Sequence, residues 1–430
     1  MLPVFITANS KITHLKNKKA LVLLFAANTV SGVSQGISLI AIPWFIANQL
    51  GRPGLYGLLF LAVTVLTLFW GPYAGILIDR YDRKKVMLSI QTVGMLSVFS
   101  IAALGWYWQN TTLWMAAAIM IITKLIYNIH YPNLYAFAQE ITEKSKYGTI
   151  SSAIEVQGQT TFILSGAIAA FLMEGQFLSF SFEAWPMHEI FMLDAATYIL
   201  GFVLLSSIRY ESLIVRNTNS DAGFATRLQE GFTYLQSKPL ILLFGAVAGF
   251  VFATILVCSF YTMPIFIDKF LNGTKSVYGF TEASFALGSM LSGFLILFIF
   301  PKNKLTLGII SLSLIAAVMY FFIGFNTEFI YLYIAYAFIG FANSGIRVMR
   351  TTYIFSVIDN NLIGRTGSAF TVINALIRIV FIGLFSLPFF ATAENISLTM
   401  FILGLFVILG ALILSFNYKA LSVLNPNHEQ

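Results

Sequence analysis

Seven charged residues stand inside long apolar stretches of this chain: Lys124, Arg347, Arg350 and Arg378, with Glu155, Asp194 and Glu282. A charge in such surroundings is costly and ordinarily faces a partner or a cavity. Their chemistry is therefore what needs explaining. A desolvated cation attracts an anion, and a sheltered carboxyl can carry a proton. Read at about 100° per residue, the polar residues around them fall on helix faces. Lys124, Tyr127, Asn128, Tyr131 and Tyr135 share one face, and Ser152, Glu155, Gln159 and Gly166 share another. Tyr336, Asn343, Arg347 and Arg350 form a third, Thr371, Asn374 and Arg378 a fourth, and Asn28, Ser31 and Gln35 a fifth.

Each has a plainer reading. Lys124 and Glu155 could form a structural ion pair between neighbouring helices, and Arg347 and Arg350 could reach lipid headgroups along their own stems. Arg378, at mid-depth, has no such escape. Lys124 and Arg378 are thus the residues expected to hold the anionic end of a ligand, with Gln35, Asn128, Tyr131, Gln159, Asn343, Arg347 and Asn374 lining the same route. Glu155 reads as the acid deepest within a stretch carrying such a face, so it is the first candidate for carrying a proton. Asp194 and Glu282, nearer the ends of theirs, follow. His130 precedes Pro132 on a different face from Lys124 and reads as a packed histidine.

Nothing in the sequence suggests a reaction on a substrate. The histidines at 14, 130, 188 and 428 are scattered, and the single cysteine, Cys258, lies in an apolar run. No metal site, disulfide or catalytic triad is expected from them. The phosphate-binding pattern G-x-x-x-x-G-K-[ST] is absent, so no ATP hydrolysis and no cofactor are expected, and uphill transport needs an ion gradient.

The elements that must position these residues follow from composition. Of 430 residues, 58% are hydrophobic and 10% charged, with 42 Phe, 19 Tyr and 6 Trp. Soluble domains carry about one quarter charged residues, so a soluble enzyme or a nucleic-acid binder is excluded. Runs of more than about twenty apolar residues without period-two alternation predict membrane-spanning helices, not a barrel. Twelve are predicted, near 20–48, 53–78, 86–107, 111–139, 148–174, 188–208, 239–268, 277–300, 305–325, 329–355, 365–391 and 397–417. Lys11, Lys16, Lys18 and Lys19 precede the first without a cleavable-signal pattern.

With the N-terminus inside, 18 of the 25 Lys and Arg fall in cytoplasmic segments and only Arg52, Lys269 and Lys275 fall outside. That bias predicts both termini in the cytoplasm and accounts for most of the +7 charge through topology and lipid headgroups. The expected division is a cytoplasmic segment 1–19, a six-helix bundle 20–208, a cytoplasmic linker 209–238, a second six-helix bundle 239–417 and a cytoplasmic tail 418–430. The halves echo each other: Pro43-Trp44-Phe45-Ile46 recurs as Pro264-Ile265-Phe266-Ile267, and Gly75 as Gly293, each about 220 residues later.

The loop after the second span reads Gly75-Ile76-Leu77-Ile78-Asp79-Arg80-Tyr81-Asp82-Arg83-Lys84-Lys85. It resembles the G-x-L-x-D-R-x-x-R-K signature of the major facilitator superfamily. The form of that loop, the lead Glu230-Gly231-Phe232 into span 7 and Gly364-Arg365 before span 11 are similar to the branch of macrolide-efflux proteins and the enterobactin exporter. Span 5, with Ser165-Gly166-Ala167 in place of a Gly-Pro pair, departs from many antiporters. The resemblance implies an all-α polytopic membrane protein with twelve transmembrane helices in two six-helix bundles. It further implies a cavity lined by spans 1, 4, 7 and 10 and flanked by 2, 5, 8 and 11. Gly75, Asp79, Arg80, Arg83 and Lys84 would act as a conformational latch docking on the start of span 11 at Arg365, where helix N–H groups attract a carboxylate. The function implied is proton-coupled export of an amphipathic small molecule with an anionic group, drug- or siderophore-like, by a monomer in a bacterial inner membrane. Its partners are that substrate, the coupling proton and membrane lipids. Uptake or lipid translocation by the same fold is the alternative within transport. A transporter-shaped receptor or scaffold is the alternative outside it.

Overall fold

Helices hydrophobic all round fill the computed structural model, which describes residues 10–142, 147–177, 180–210, 224–358 and 362–424. The turn-prone string Asn217 to Asp221 and the side chain of Asp79 lie outside the described residues. The first half contains α1 (Ser10–Trp44), prolonged by a π-helical turn Phe45–Gln49, then α2 (Pro53–Arg80), α3 (Arg83–Trp108), α4 (Leu113–Glu140), α5 (Tyr147–Glu174) and α6 (Met187–Ser206). Between α5 and α6, two-residue strands β1 (Gln176–Phe177) and β2 (Phe180–Ser181) pair antiparallel. After α7 (Phe224–Ser237), span 7 is built from α8 (Pro239–Val247), α9 (Phe250–Val257), a π-helical turn Cys258–Thr262 and α10 (Met263–Lys269). Then follow α11 (Lys275–Ile299), α12 (Leu305–Phe325), α13 (Phe329–Val357), α14 (Ile363–Phe385), α15 (Ile396–Phe416) and the short α16 (Tyr418–Leu424). Twelve described spans are long and apolar enough to cross a membrane, from Lys18–Gln49 to Ile396–Phe416. The fold class is all-α and polytopic, as the apolar runs predict.

Polar residues mark the helix ends. The Asp82 carboxylate accepts the Lys85 N–H at 3.0 Å and starts α3, and Thr112 caps α4 through the Met115 N–H at 3.4 Å. Gln109, at φ 49°, stops α3. The linker holds a helix that the predicted spans do not include. Leu228, Phe232 and Leu235 recur along α7 at i, i+4 and i+7, which gives it one apolar stripe among polar residues. Phe298 and Phe416 are 87% and 85% exposed, a surface suited to lipid tails and unsuited to water.

Two compact units organise the chain. The first comprises 1–39, 69–161 and 185–220, and the second 40–68, 162–184 and 221–430. The second unit therefore includes the end of span 1, most of span 2 and the end of span 5. In the first, α3 and α6 lie close because Gly94 faces the Tyr198 ring and Gly105 faces the His188 Cβ at 2.7 Å from where its own Cβ would stand. In the second, α11 and α13 meet at Gly288 and Gly340, each packed on the other helix's backbone, and the Ser289 hydroxyl donates to the Gly340 carbonyl at 3.0 Å. Small residues let helices approach where lipid offers no hydrophobic drive. Gly340→Val is expected to cost about 1–3 kcal/mol by overpacking against Phe285. Thermal unfolding in detergent checks this, with Gly293→Ala, whose Cβ meets nothing within 4 Å, as the neutral comparison.

Candidate functional site

The charged loop between α2 and α3 is tied to the first unit through its basic residues. The Arg83 guanidinium donates to the Ile78 carbonyl at the end of α2 and lies 3.8 Å from the Glu140 carboxylate. Lys84 Nζ donates to the Ser206 and Ile208 carbonyls at 3.0 and 2.7 Å, which places a cation on the C-terminus of α6. The Tyr210 hydroxyl lies 2.9 Å from Asp82 and 3.2 Å from Glu140, between two carboxylates. Asn133 Nδ2 donates to the Arg83 carbonyl at 2.9 Å. Gly75 and Arg80 are exposed at the end of α2. Arg365, in the second unit, pairs with Glu230 of α7 at 2.9 Å, and Gly231 packs on the Arg365 carbonyl. Glu140 and Tyr210 were not among the residues singled out by sequence, and Glu230 stood out only as part of the lead into span 7.

Farther along the first unit, Lys124 is half-buried, with Nζ 6.0 Å from the Tyr127 ring centroid, and the Tyr127 and Tyr131 rings lie 4.4 Å apart. These three form a cation and aromatic ladder on α4. The Asn128 amide turns back on the Lys124 carbonyl at 2.8 Å. Tyr135 donates to Glu155 at 2.7 Å, which joins the faces predicted on α4 and α5. Gln159 is half-buried and Gln35 buried. A second chain of polar groups runs behind them. His130 Nε2 is 2.7 Å from Asn28 Oδ1, Asn28 Nδ2 donates to Gln157 at 3.0 Å, and Gln157 Nε2 donates to the Phe25 carbonyl at 2.6 Å. Since the Asn28 oxygen accepts, His130 carries its proton on Nε2. Gln157 lies off the Glu155 and Gln159 face, so periodicity alone does not find it.

In the second unit, span 7 breaks at Ala248 and Gly249, and Asn374 of α14 donates to the Gly249 carbonyl at 3.1 Å. One turn farther on, Arg378 is half-buried, and its Nε has no hydrogen-bond partner among the described residues. Arg350 stacks its guanidinium 5.3 Å from the Phe370 ring centroid, Arg347 is exposed and Asn343 is buried. Burial orders the three acids differently from their predicted depth. Glu155 is exposed, whereas Asp194 and Glu282 are 0% and 1% exposed. Ser38 donates to Asp194 at 2.9 Å, across from α1 to α6. No group of three or more metal-ligating residues occurs among the described residues.

The family model of the Major Facilitator Superfamily matches residues 24–382 of this twelve-span chain. The chain belongs to this superfamily. Members of this superfamily are multi-pass membrane transporters that bind small molecules. It is 24% identical over 276 residues to macrolide efflux protein A of Streptococcus pyogenes, covering 64% of this chain and 65% of that protein. It is 26% identical over 230 residues to the macrolide efflux protein A of Enterococcus faecalis, covering 53% and 67%. The aligned part thus spans about two thirds of the length of these relatives. Among solved structures, a peptide transporter with sulfate bound superposes with TM-score 0.72 at 12% identity, covering 94% of this chain and 95% of that one. An inward-facing, occupied bacterial homologue of the lysosomal transporter Spinster gives 0.69 at 13% identity, covering 93% and 96%. These structural likenesses show the fold.

Replacing Asn374 by Leu removes a buried hydrogen bond between spans 11 and 7 while the Gly249 carbonyl keeps the Ala253 N–H at 3.0 Å, for an expected loss of about 0.5–1.5 kcal/mol. Asn128→Leu is expected to cost less, because its bond to the Lys124 carbonyl is part-buried and joins no second helix. Comparing the two melting temperatures in detergent checks the difference.

Proposed function

We propose that this transporter exports an amphipathic small molecule bearing an anionic group, with proton movement as the energy source and alternating access between two six-helix bundles, 20–208 and 239–417. The observation that carries this reading is Arg378. A half-buried guanidinium with an uncommitted Nε on the same face as Asn374 is suited to gripping a carboxylate or phosphate. In the first unit, Lys124 with the Tyr127 and Tyr131 rings offers a charge beside apolar surface, which suits an amphipath. The positive-inside count supports cytoplasmic termini, and the loops following spans 1, 7 and 11 are then external. Asp79 is the proposed carboxylate of the conformational latch. Bacterial relatives support placement in a cytoplasmic membrane. A second reading, export of a macrolide-type drug, is favoured by the names of those relatives.

Counterflow in proteoliposomes containing the full chain separates these readings, using a labelled amphipathic carboxylate and a labelled macrolide as alternative probes. Preference for the carboxylate is expected. Arg378→Ala should weaken its binding by about 2–5 kcal/mol, and Arg378→Lys should weaken it although the charge is kept. Transport of the macrolide alone, or lower expression and stability in Arg378→Ala with affinity unchanged, rejects the anion site.

A further inference from the structure

Glu282 is buried in α11 among groups that cannot neutralise a negative charge. The titratable side chains facing it are Tyr278 from its own helix, Tyr336 from α13 and Cys258 from the π-helical turn of span 7, with the Ser259 hydroxyl beside it. No cation pairs with it among the described residues, and its Oε1 has no hydrogen-bond partner. Ser259 Oγ is 2.9 Å from the Tyr336 hydroxyl, and Tyr278 donates to the Ser259 carbonyl at 2.8 Å.

The same turn of the chain holds one end of the second unit closed. Tyr278 stacks on Trp44 at the end of α1, with ring centroids 6.3 Å apart. Gly279 and Gly166 of α5 pack so tightly that a Cβ on either would lie 2.6 to 2.7 Å from the other's carbonyl oxygen. Tyr56 of α2 donates to the Phe260 carbonyl, and Asn48 donates to the Pro264 carbonyl at 3.0 Å. Spans 1, 2 and 5 thus pack on span 7 and α11, and the contacts of Trp44 and Gly166 fall on Tyr278 and Gly279, about one turn before Glu282.

We propose that Glu282 is the proton-loading group of this transporter, and that its charge state is linked to the opening and closing of this end. An ionised carboxylate here, stripped of water and unpaired, carries a heavy desolvation cost, so the packed arrangement holds the acid with its proton on the carboxyl. When spans 1, 2 and 5 part from span 7 and α11, water reaches the group, the O–H bond breaks and the proton passes to that water. Reprotonation in the open form lets this end close again with the acid neutral. By linkage, the closed form binds the proton and the open form releases it, so raising the pH favours opening. This rests on the proton-coupled reading above and names the group that loads the proton at this end; net proton movement requires that the proton held in the closed form leave to the other side.

The test uses the full chain in lipid nanodiscs with the proton as the only ligand. Spin labels at Arg52→Cys and Thr274→Cys, both exposed, report the closing end in a Cys258→Ala background. The ratio of long to short distances is expected to rise about tenfold between about pH 5.5 and about pH 8.5 in this background. Adding Glu282→Gln should hold it within about twofold and predominantly short, while Glu282→Asp should keep a pH response. An unchanged response in Glu282→Gln overturns the proposal, as does a background ratio that follows sodium and ignores pH. If Glu282→Gln does not fold, loss of the pH response in Glu282→Asp with the protein intact also overturns it. Failure of export in counterflow with the pH-linked distances preserved overturns the transport direction or substrate instead.

Discussion

Backbone groups at membrane depth must find partners within the protein, and span 7 is where that requirement is hardest to meet. Its helix is interrupted at Gly249 and widened into a π turn at Cys258–Thr262, with Pro264 immediately after. Four of its carbonyls are taken by side chains from other spans: Gly249 by Asn374, Ser259 by Tyr278, Phe260 by Tyr56 and Pro264 by Asn48. Spans 11, 8, 2 and 1 are thereby fastened to the irregular helix. The second compact unit takes in pieces of the first half of the sequence because those pieces supply the missing donors and close-packed small residues.

The same logic governs the charged loop. Arg83 and Lys84 serve carbonyls at the ends of α2 and α6, and Asp82 serves an N–H at the start of α3. A motif that reads as a run of charge is, locally, a set of helix caps, with Tyr210 and Glu140 completing it. Arg365 is engaged with Glu230 in the second unit, so the basic start of α14 already has an acidic partner there.

How much of this could be read beforehand depended on whether a feature is local. The twelve spans were legible because each needs only a long apolar run, and Lys124, Gln159, Asn374 and Arg378 were legible as polar breaks in such runs. The α7 helix went unread because its apolar stripe of Leu228, Phe232 and Leu235 sits among charges that mark a linker. Glu155 was ranked deepest by position along its span, yet Tyr135 meets it at an exposed face, while Asp194 is covered by Ser38 more than 150 residues away in sequence. Gln157 and Asn28 meet across a similar separation. A π turn also rotates everything after it relative to a 100° count, which is why the network around Ser259 has no visible period.

The break at Ala248 and Gly249 carries a mechanical consequence. A continuous α-helix acts as a strut, passing an axial push from one end to the other through its hydrogen-bond ladder. In span 7 the ladder is interrupted at Ala248 and Gly249, and the Gly249 carbonyl, which accepts the Ala253 N–H, is also anchored sideways to α14. An axial push on the nine residues of α8 is therefore shared with α14 through the Asn374 amide. The two parts of this span meet at a joint that α14 braces from the side.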